Sequence, residues 1–283
     1  MKNILVPTDF SNNAYAALFY VSKLFAEETT QFTILHSFED EVSKLTSRVD
    51  VGRSNVVIEK LFQISKEEGK QLVHRIERDV NNSAHRYDVV STPAPLTRTI
   101  NTLITSEGMD LVVVGSKGRT AAEEVLMGST TSKIIQNIQG CPLLVVPERV
   151  DFVVPSNIAF ATDFNEFFQL SKLKPIIRLV RHFDSQIHIV HVGLQNELTL
   201  QQKENMEHFS NDLSEYDTEF HFLPKDGNVS KTLHHFIDAK GMDLLALAYH
   251  KHTFVKALFR EPVVSRVGKH AHVPTLVIPI KII

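Results

Sequence analysis

The residues best suited to hold a ligand lie in two short stretches. One is Pro7-Thr8-Asp9-Phe10-Ser11, directly after an apolar run at 4–6. The other is Gly115-Ser116-Lys117-Gly118-Arg119, after an apolar run at 111–114, with Gly128-Ser129-Thr130 further on. Glycine lacks a Cβ, so Gly115 and Gly118 let the backbone turn and come close to a ligand. Gly128-Ser129-Thr130 opens a helical pattern at 130–138. The free amides and positive dipole end of such a helix start form an anion site. Ser129 and Thr130 add hydroxyl donors there, and Lys117 or Arg119 adds a positive charge. Asp9 disfavours a phosphate but accepts hydrogen bonds from a ribose or a base. Together the parts suit a nucleotide, its sugar near Asp9 and its phosphates on the helix start. Each feature also has an ordinary explanation: a glycine after a strand makes a turn, and Ser-Thr at a helix start makes a cap.

Alternating elements must position these residues. Short Val-, Ile- and Leu-rich runs at 4–6, 32–35, 87–90, 111–114 and 143–146 are bounded by Pro, Gly, Asp or Ser and predict buried strands. Between them, apolar residues at three-to-four spacing predict helices at 11–27, 56–80, 96–105 and 130–138, the first capped by Ser11. Strands alternating with helices imply right-handed parallel β-α-β units. The expected fold is α/β, a five-stranded doubly wound parallel sheet. Ligands bind such sheets beyond the carboxyl ends of the strands, where the strand order reverses.

The chain is then written a second time. Asn3-Ile4-Leu5-Val6-Pro7-Thr8-Asp9-Phe10 returns as Asn157-Ile158-Ala159-Phe160-Ala161-Thr162-Asp163-Phe164. Gln31-Phe32-Thr33-Ile34-Leu35-His36 returns as Gln186-Ile187-His188-Ile189-Val190-His191. Gly108-Met109-Asp110-Leu111 returns as Gly241-Met242-Asp243-Leu244, and Cys141-Pro142-Leu143-Leu144-Val145-Val146-Pro147 as Val273-Pro274-Thr275-Leu276-Val277-Ile278-Pro279. Four matches in one order predict two tandem domains, 1–150 and 151–283, with a linker near 148–156. The second copy is shorter, chiefly because residues 39–53 have no counterpart in it.

The stretch at 6–11, Ile34-Leu35-His36, the Gly-x2-Gly-x9-Gly-Ser spacing at 115, 118, 128 and 129 and the ending at 141–147 together resemble a universal stress protein, as two tandem copies. The resemblance implies an adenine-nucleotide-binding fold and, where the glycine motif is complete, ATP as ligand with Mg²⁺ accompanying it. It places Pro7, Thr8 and Asp9 on the adenosine side and the Ser37 backbone at the base. Val114, Gly115, Ser116, Gly118, Arg119, Gly128, Ser129 and Thr130 would then hold the ribose and phosphates. It implies a regulatory role in stress survival, exerted through a protein partner, with slow ATP hydrolysis in some members. No residue of the first copy is placed as a catalytic group. It implies pairing through the last strand, residues 143–146 against 276–278, so that the chain forms its own pseudo-dimer; a further homodimer of tandem chains stays open. The second copy departs from the motif. Aligned on Gly-Met-Asp-Leu, Ala248 stands for Gly115, Lys251 for Gly118, and Glu261 and Pro262 for Gly128 and Ser129. A glutamate repels phosphate and a proline removes an amide donor, so only the first domain is expected to hold ATP.

Composition excludes much else. The 283 residues are 43% apolar and 22% charged, as in an ordinary globular protein. The net charge is −3, and neither half carries the basic footprint of a nucleic-acid binder. No run approaches a membrane span, and the short apolar stretch after Met1-Lys2-Asn3 is no signal peptide, so a cytoplasmic chain is expected. The single Cys141 excludes an internal disulfide and a cysteine zinc cage. Gly-x4-Gly-Lys-Ser/Thr, Gly-x-Gly-x2-Gly after the first strand and Gly-x-Ser-x-Gly are all missing, against P-loop, dinucleotide and hydrolase chemistry. Eleven of the 14 histidines fall in the second half. His188 and His191, three apart in a strand, face opposite sides. His234 and His235 diverge on a helix. Only His250 and His252 look able to converge with a distant group, so no ready-made metal site is expected. Two rival readings remain: an enzyme, a slow ATPase or a transferase acting on ATP, and a nucleotide-free interaction scaffold.

Overall fold

The computed structural model describes residues 1–46, 51–118, 127–166, 170–226, 228–249 and 273–279. Arg119, His250, Lys251, His252, Glu261 and Pro262 lie outside them. Contacts divide the chain after Glu148 into two compact units.

The first unit runs β1 (Lys2–Pro7), α1 (Asn12–Leu24), β2 (Thr30–Ser37), α2 (Glu39–Thr46), α3 (Val51–Val80), β3 (His85–Thr92), α4 (Leu96–Glu107), β4 (Leu111–Gly115), α5 (Ser129–Asn137) and β5 (Leu143–Val146). Its strands lie in the order β3-β2-β1-β4-β5 and pair parallel, with Val6 opposite Ile34, Leu5 opposite Val112 and Val113 opposite Leu144. Ile4, Leu5, Phe32, Ile34, Leu35, Val112, Val113 and Leu143 are completely buried, which is why these runs are continuously apolar rather than alternating. Helix α1 packs beside α3, and α4 beside α5. With right-handed crossovers these pairs cover opposite faces. The order reverses between β1 and β4, and that switch point is where the two motif-bearing loops emerge.

The second unit repeats this plan with β6 (Asn157–Ala161), α6 (Leu170–Phe183), β7 (Gln186–Val192), α7 (Leu200–Asp212), β8 (Thr218–Leu223), α8 (Val229–Lys240), β9 (Leu244–Tyr249) and β10 (Thr275–Pro279). Its order is β10-β9-β6-β7-β8, again parallel. The length difference has a second source beyond residues 39–53. Helix α3 has 30 residues, whereas α7, preceded by a 3-10 turn at Gln195–Glu197, has 13.

The repeated sequence blocks encode repeated physical devices. Gly108 and Gly241 end α4 and α8 in the left-handed region, at φ 63° and 66°, where a side chain would be strained. Two residues on, Asp110 N–H donates to Asn3 O at 2.8 Å, and Asn3 N–H donates to Asp110 Oδ2 at 3.0 Å. Asp243 makes the same exchange with Asn157 at 2.9 and 2.8 Å. The Gly-Met-Asp block therefore clamps the fourth strand of each unit onto the start of the first. The repeated Pro before each last strand also recurs in place: Val112 N–H donates to Pro142 O, and Leu245 N–H to Pro274 O, both at 3.0 Å.

Candidate functional site

The Thr-Asp-Phe turn has the same construction in both units. Thr8 N–H continues the sheet by donating to Leu35 O at 2.8 Å. Thr8 Oγ1 accepts from Phe10 N–H at 2.9 Å, and Asp9 Oδ1 from Ser11 N–H at 3.1 Å. Thr162 and Asp163 do the same for Phe164 and Asn165, both at 3.1 Å. These local bonds hold each phenylalanine in the left-handed region, at φ 58° and 55°. That conformation costs a non-glycine residue roughly 1–2 kcal/mol. Ring packing offsets it: Phe10 lies 4.6 Å from the His36 ring, and Phe164 lies 5.4 Å from His191. Ser11 then caps α1, its hydroxyl accepting from Ala14 N–H at 3.3 Å.

Across the switch point, the glycine loop leaves β4 and is tied down by backbone bonds. Ser116 N–H donates to Val146 O at 2.7 Å, and Gly128 N–H to Ser116 O at 2.8 Å. The buried Thr131 hydroxyl donates to Gly115 O at 2.9 Å. These bonds set the first turn of α5 at the carboxyl end of β4. Gly128 is its N-cap, with extended backbone and no side-chain acceptor, while Ser129 and Thr130 are exposed on the first turn. The opening amides of α5 thus face the crevice without a capping side chain.

The three glycines converge. A Cβ on Gly115 would stand 2.9 Å from Asn13 O, in the backbone of α1. One on Gly118 would stand 3.0 Å from Asp9 Oδ2. One on Gly128 would meet Gly118 N at 3.5 Å, an ordinary contact. The Asp9 carboxylate and the Gly118 backbone therefore face each other, although 109 positions separate them in the chain.

Other expected site residues fall as follows. Pro7 ends β1 and is buried. Ser37 ends β2, and its hydroxyl donates to Ala94 O at 2.7 Å. Val114 is only 3% exposed, so its side chain belongs to the core and only its backbone borders the crevice. Lys117 Nζ lies 3.5 Å from Glu148 Oε2, which turns its charge toward that carboxylate. Sequence patterns did not reveal Asn13, whose carbonyl excludes any side chain at position 115. Nor did they reveal the chain of hydroxyls behind Phe10: His36 Nδ1 lies 2.7 Å from Ser65 Oγ, which lies 2.6 Å from Ser91 Oγ. Ser65 sits on α3, and no short-range spacing links it to the motif. In the second unit Ala248 falls inside β9, where Gly115 ends β4.

This is a doubly wound α/β domain with an aspartate turn and a glycine-lined loop opposed across its switch point. The model of the universal stress protein family matches residues 1–147, and the chain belongs to that family. The stress-response role comes with that membership. Universal stress protein MJ0577 of Methanocaldococcus jannaschii is 27% identical over 157 residues, covering 52% of this chain and 96% of the relative. Universal stress protein YxiE of Bacillus subtilis is 28% identical over 148 residues, covering 51% and 98%. A universal stress protein structure from Archaeoglobus fulgidus covers 98% of each chain with a TM-score of 0.65 at 17% identity, a likeness of fold along both units. Among the described residues, no helix is long and apolar enough to cross a membrane.

Proposed function

We propose that the first unit binds an adenine nucleotide, ATP accompanied by Mg²⁺, and that occupancy regulates a protein partner during stress. The observation that carries this reading is the opposition of Asp9 and Gly118 across the switch point, beside the uncapped start of α5. A nucleotide needs a hydrogen-bond acceptor for its ribose and amide donors for its phosphates. It also needs backbone that lets both approach, and a Cβ at 118 would fill that approach. Pro7, Thr8 and Asp9 would line the adenosine side with the Ser37 backbone, and Val114, Gly115, Ser116, Gly118, Arg119, Gly128, Ser129 and Thr130 the ribose and phosphate side. For occupancy to signal, the partner must prefer one state of the 115–128 segment.

The second unit keeps the Thr-Asp-Phe turn but carries Ala248 in place of the first glycine. Asp163 is engaged locally, its Oδ2 accepting from Asn165 Nδ2 at 2.8 Å. This supports a partner domain without nucleotide. Native mass spectrometry of the full chain with Mg²⁺ and ATP tests the reading. One nucleotide per chain, lost in Gly118→Val, is the expected result. None per chain overturns nucleotide binding and leaves a scaffold; two overturns the assignment to the first unit.

A further inference from the structure

The edge of the second unit's sheet gathers three groups that the nucleotide reading does not use. His188 on β7 and Glu219 on β8 are register partners. His221 follows Glu219 by two residues, so all three project from one face of adjacent strands. His188 Nδ1 lies 3.0 Å from His221 Nε2 and 3.6 Å from Glu219 Oε2. His221 Nε2 lies 3.5 Å from the same carboxylate oxygen. The three atoms form a nearly equilateral triangle. A tetrahedral zinc ion with bonds of about 2.0–2.1 Å spaces its ligand atoms about 3.3 Å apart. The triangle has the dimensions of one face of that tetrahedron.

We propose that His188, Glu219 and His221 form a site for a divalent transition-metal ion of the zinc class, with water in the fourth position. Two imidazoles and one carboxylate are a common zinc set when one position stays open. The opening lies at Glu219, whose side chain is half-exposed, whereas His188 is buried and the His221 side chain is only 10% exposed. The second ring nitrogen of His188 lies 3.4 Å from Asn157 Oδ1. An N–H donated to that amide oxygen leaves the Nδ1 lone pair for the metal, the usual arrangement around a ligating histidine. Asn157 is itself held by the Asp243 clamp, so the orienting group sits on rigid backbone. The ring of His221 is set by Phe236 of α8, 4.8 Å away.

The electrostatics are mixed but permissive. Burial foremost lowers the pKa of both histidines, which favours the neutral, ligating form. The charge of Lys240, at the end of α8, acts against a cation here, while Glu219 and Asp217 act for it. The competing arrangement is a hydrogen bond between the two imidazoles with no ion. Sequence spacing already sets His188 and His191 on opposite faces, and His191 lies on Thr162 O at 3.0 Å; the pair it singled out, His250 and His252, lies outside the described residues. The Glu219-x-His221 pair on the edge strand is the signal that locates the site.

The test uses the full chain, freed of metal by a chelator and titrated with Zn²⁺ against a chromophoric competitor. The expected result is one tight Zn²⁺ whose affinity falls at least about tenfold in His221→Ala and, separately, in Glu219→Gln. The double variant His250→Ala/His252→Ala should retain it. Because Glu219 is half-exposed, Glu219→Gln leaves the packing intact and separates loss of a ligand from loss of fold. With Co²⁺, tetrahedral d–d bands should form in the parent chain and weaken in the same two variants. Zn²⁺ affinity unchanged in both variants, or no tight Zn²⁺ on the parent, overturns the proposal and leaves the hydrogen-bonded pair. Neither readout involves ATP, so this site stands or falls apart from the nucleotide reading.

Discussion

Gly115 and Gly118 lie three residues apart but should fail in different ways when each is replaced by alanine. At position 115 the new Cβ would meet Asn13 O at 2.9 Å and Asn13 C at 3.1 Å. Both are backbone atoms of the first turn of α1, and ordinary contact begins only near 3.4 Å. The strand end and the helix must therefore separate by roughly 0.5 Å in a region where Ala14, Ala17 and Leu18 are buried. Overpacking of this kind costs about 1–3 kcal/mol. At position 118 the new Cβ would stand 3.0 Å from Asp9 Oδ2, the end of a side chain that can turn aside. Folding should then lose no more than about 0.5 kcal/mol, the range of a surface substitution. Moving the Asp9 carboxylate and narrowing the crevice should instead weaken ATP at least about tenfold, or about 1.4 kcal/mol. The assays are thermal unfolding of the nucleotide-free chain and calorimetric titration with Mg²⁺ and ATP. Gly115→Ala should lower the unfolding temperature by about 2–4 °C per kcal/mol. The reasoning is refuted if Gly115→Ala unfolds like the parent. It is equally refuted if Gly118→Ala binds ATP with unchanged affinity.

Three further outcomes are expected. Ser65→Ala removes the buried hydroxyl between His36 Nδ1 and Ser91 Oγ and should cost about 1–3 kcal/mol, read as a lower urea midpoint at unchanged slope; an unchanged midpoint contradicts it. Burial, only partly offset by the Phe25 carbonyl, holds the His85 pKa below its ordinary 6.5. The unfolded chain therefore takes up the proton first, and this contribution to stability, whole above 6.5, is lost as pH falls through the depressed folded value. A His85→Gln chain with the same acid-side stability slope as the parent would rule that out. Cys141 is 1% exposed and its thiol is pushed up to about 12, by burial first and by Asp110 second. A disulfide reagent at neutral pH should modify it only as fast as the first unit opens, and rapid reaction of the folded chain would refute this.

Much of this molecule is legible in its residues taken in order. Continuous apolar runs bounded by turn formers predict strands covered on both faces, and most of them are; the run at 87–90 is the exception, only partly buried in β3. The runs at 111–114 and 143–146 reappear as β4 and β5 with one residue gained at most. The Thr-Asp-Phe turn is equally local. Its hydrogen bonds span two residues, so the same letters build the same strained phenylalanine in both units. Glycine spacing marks the loop after β4 for the same reason, since freedom from a Cβ is a property of one residue.

What tertiary structure alone decides is which distant groups meet. Asp9 faces Gly118 only because β1 and β4 become neighbours when the strand order reverses. The charge of Lys117, read from the sequence as available to an anion, is directed to Glu148 by the return of the chain after β5. His188 parts from His191 by strand alternation, which the sequence shows. It meets His221 through the register of β7 on β8, which the sequence does not show. Local geometry follows from residue types within a few positions, whereas register and strand order come from packing whole elements together.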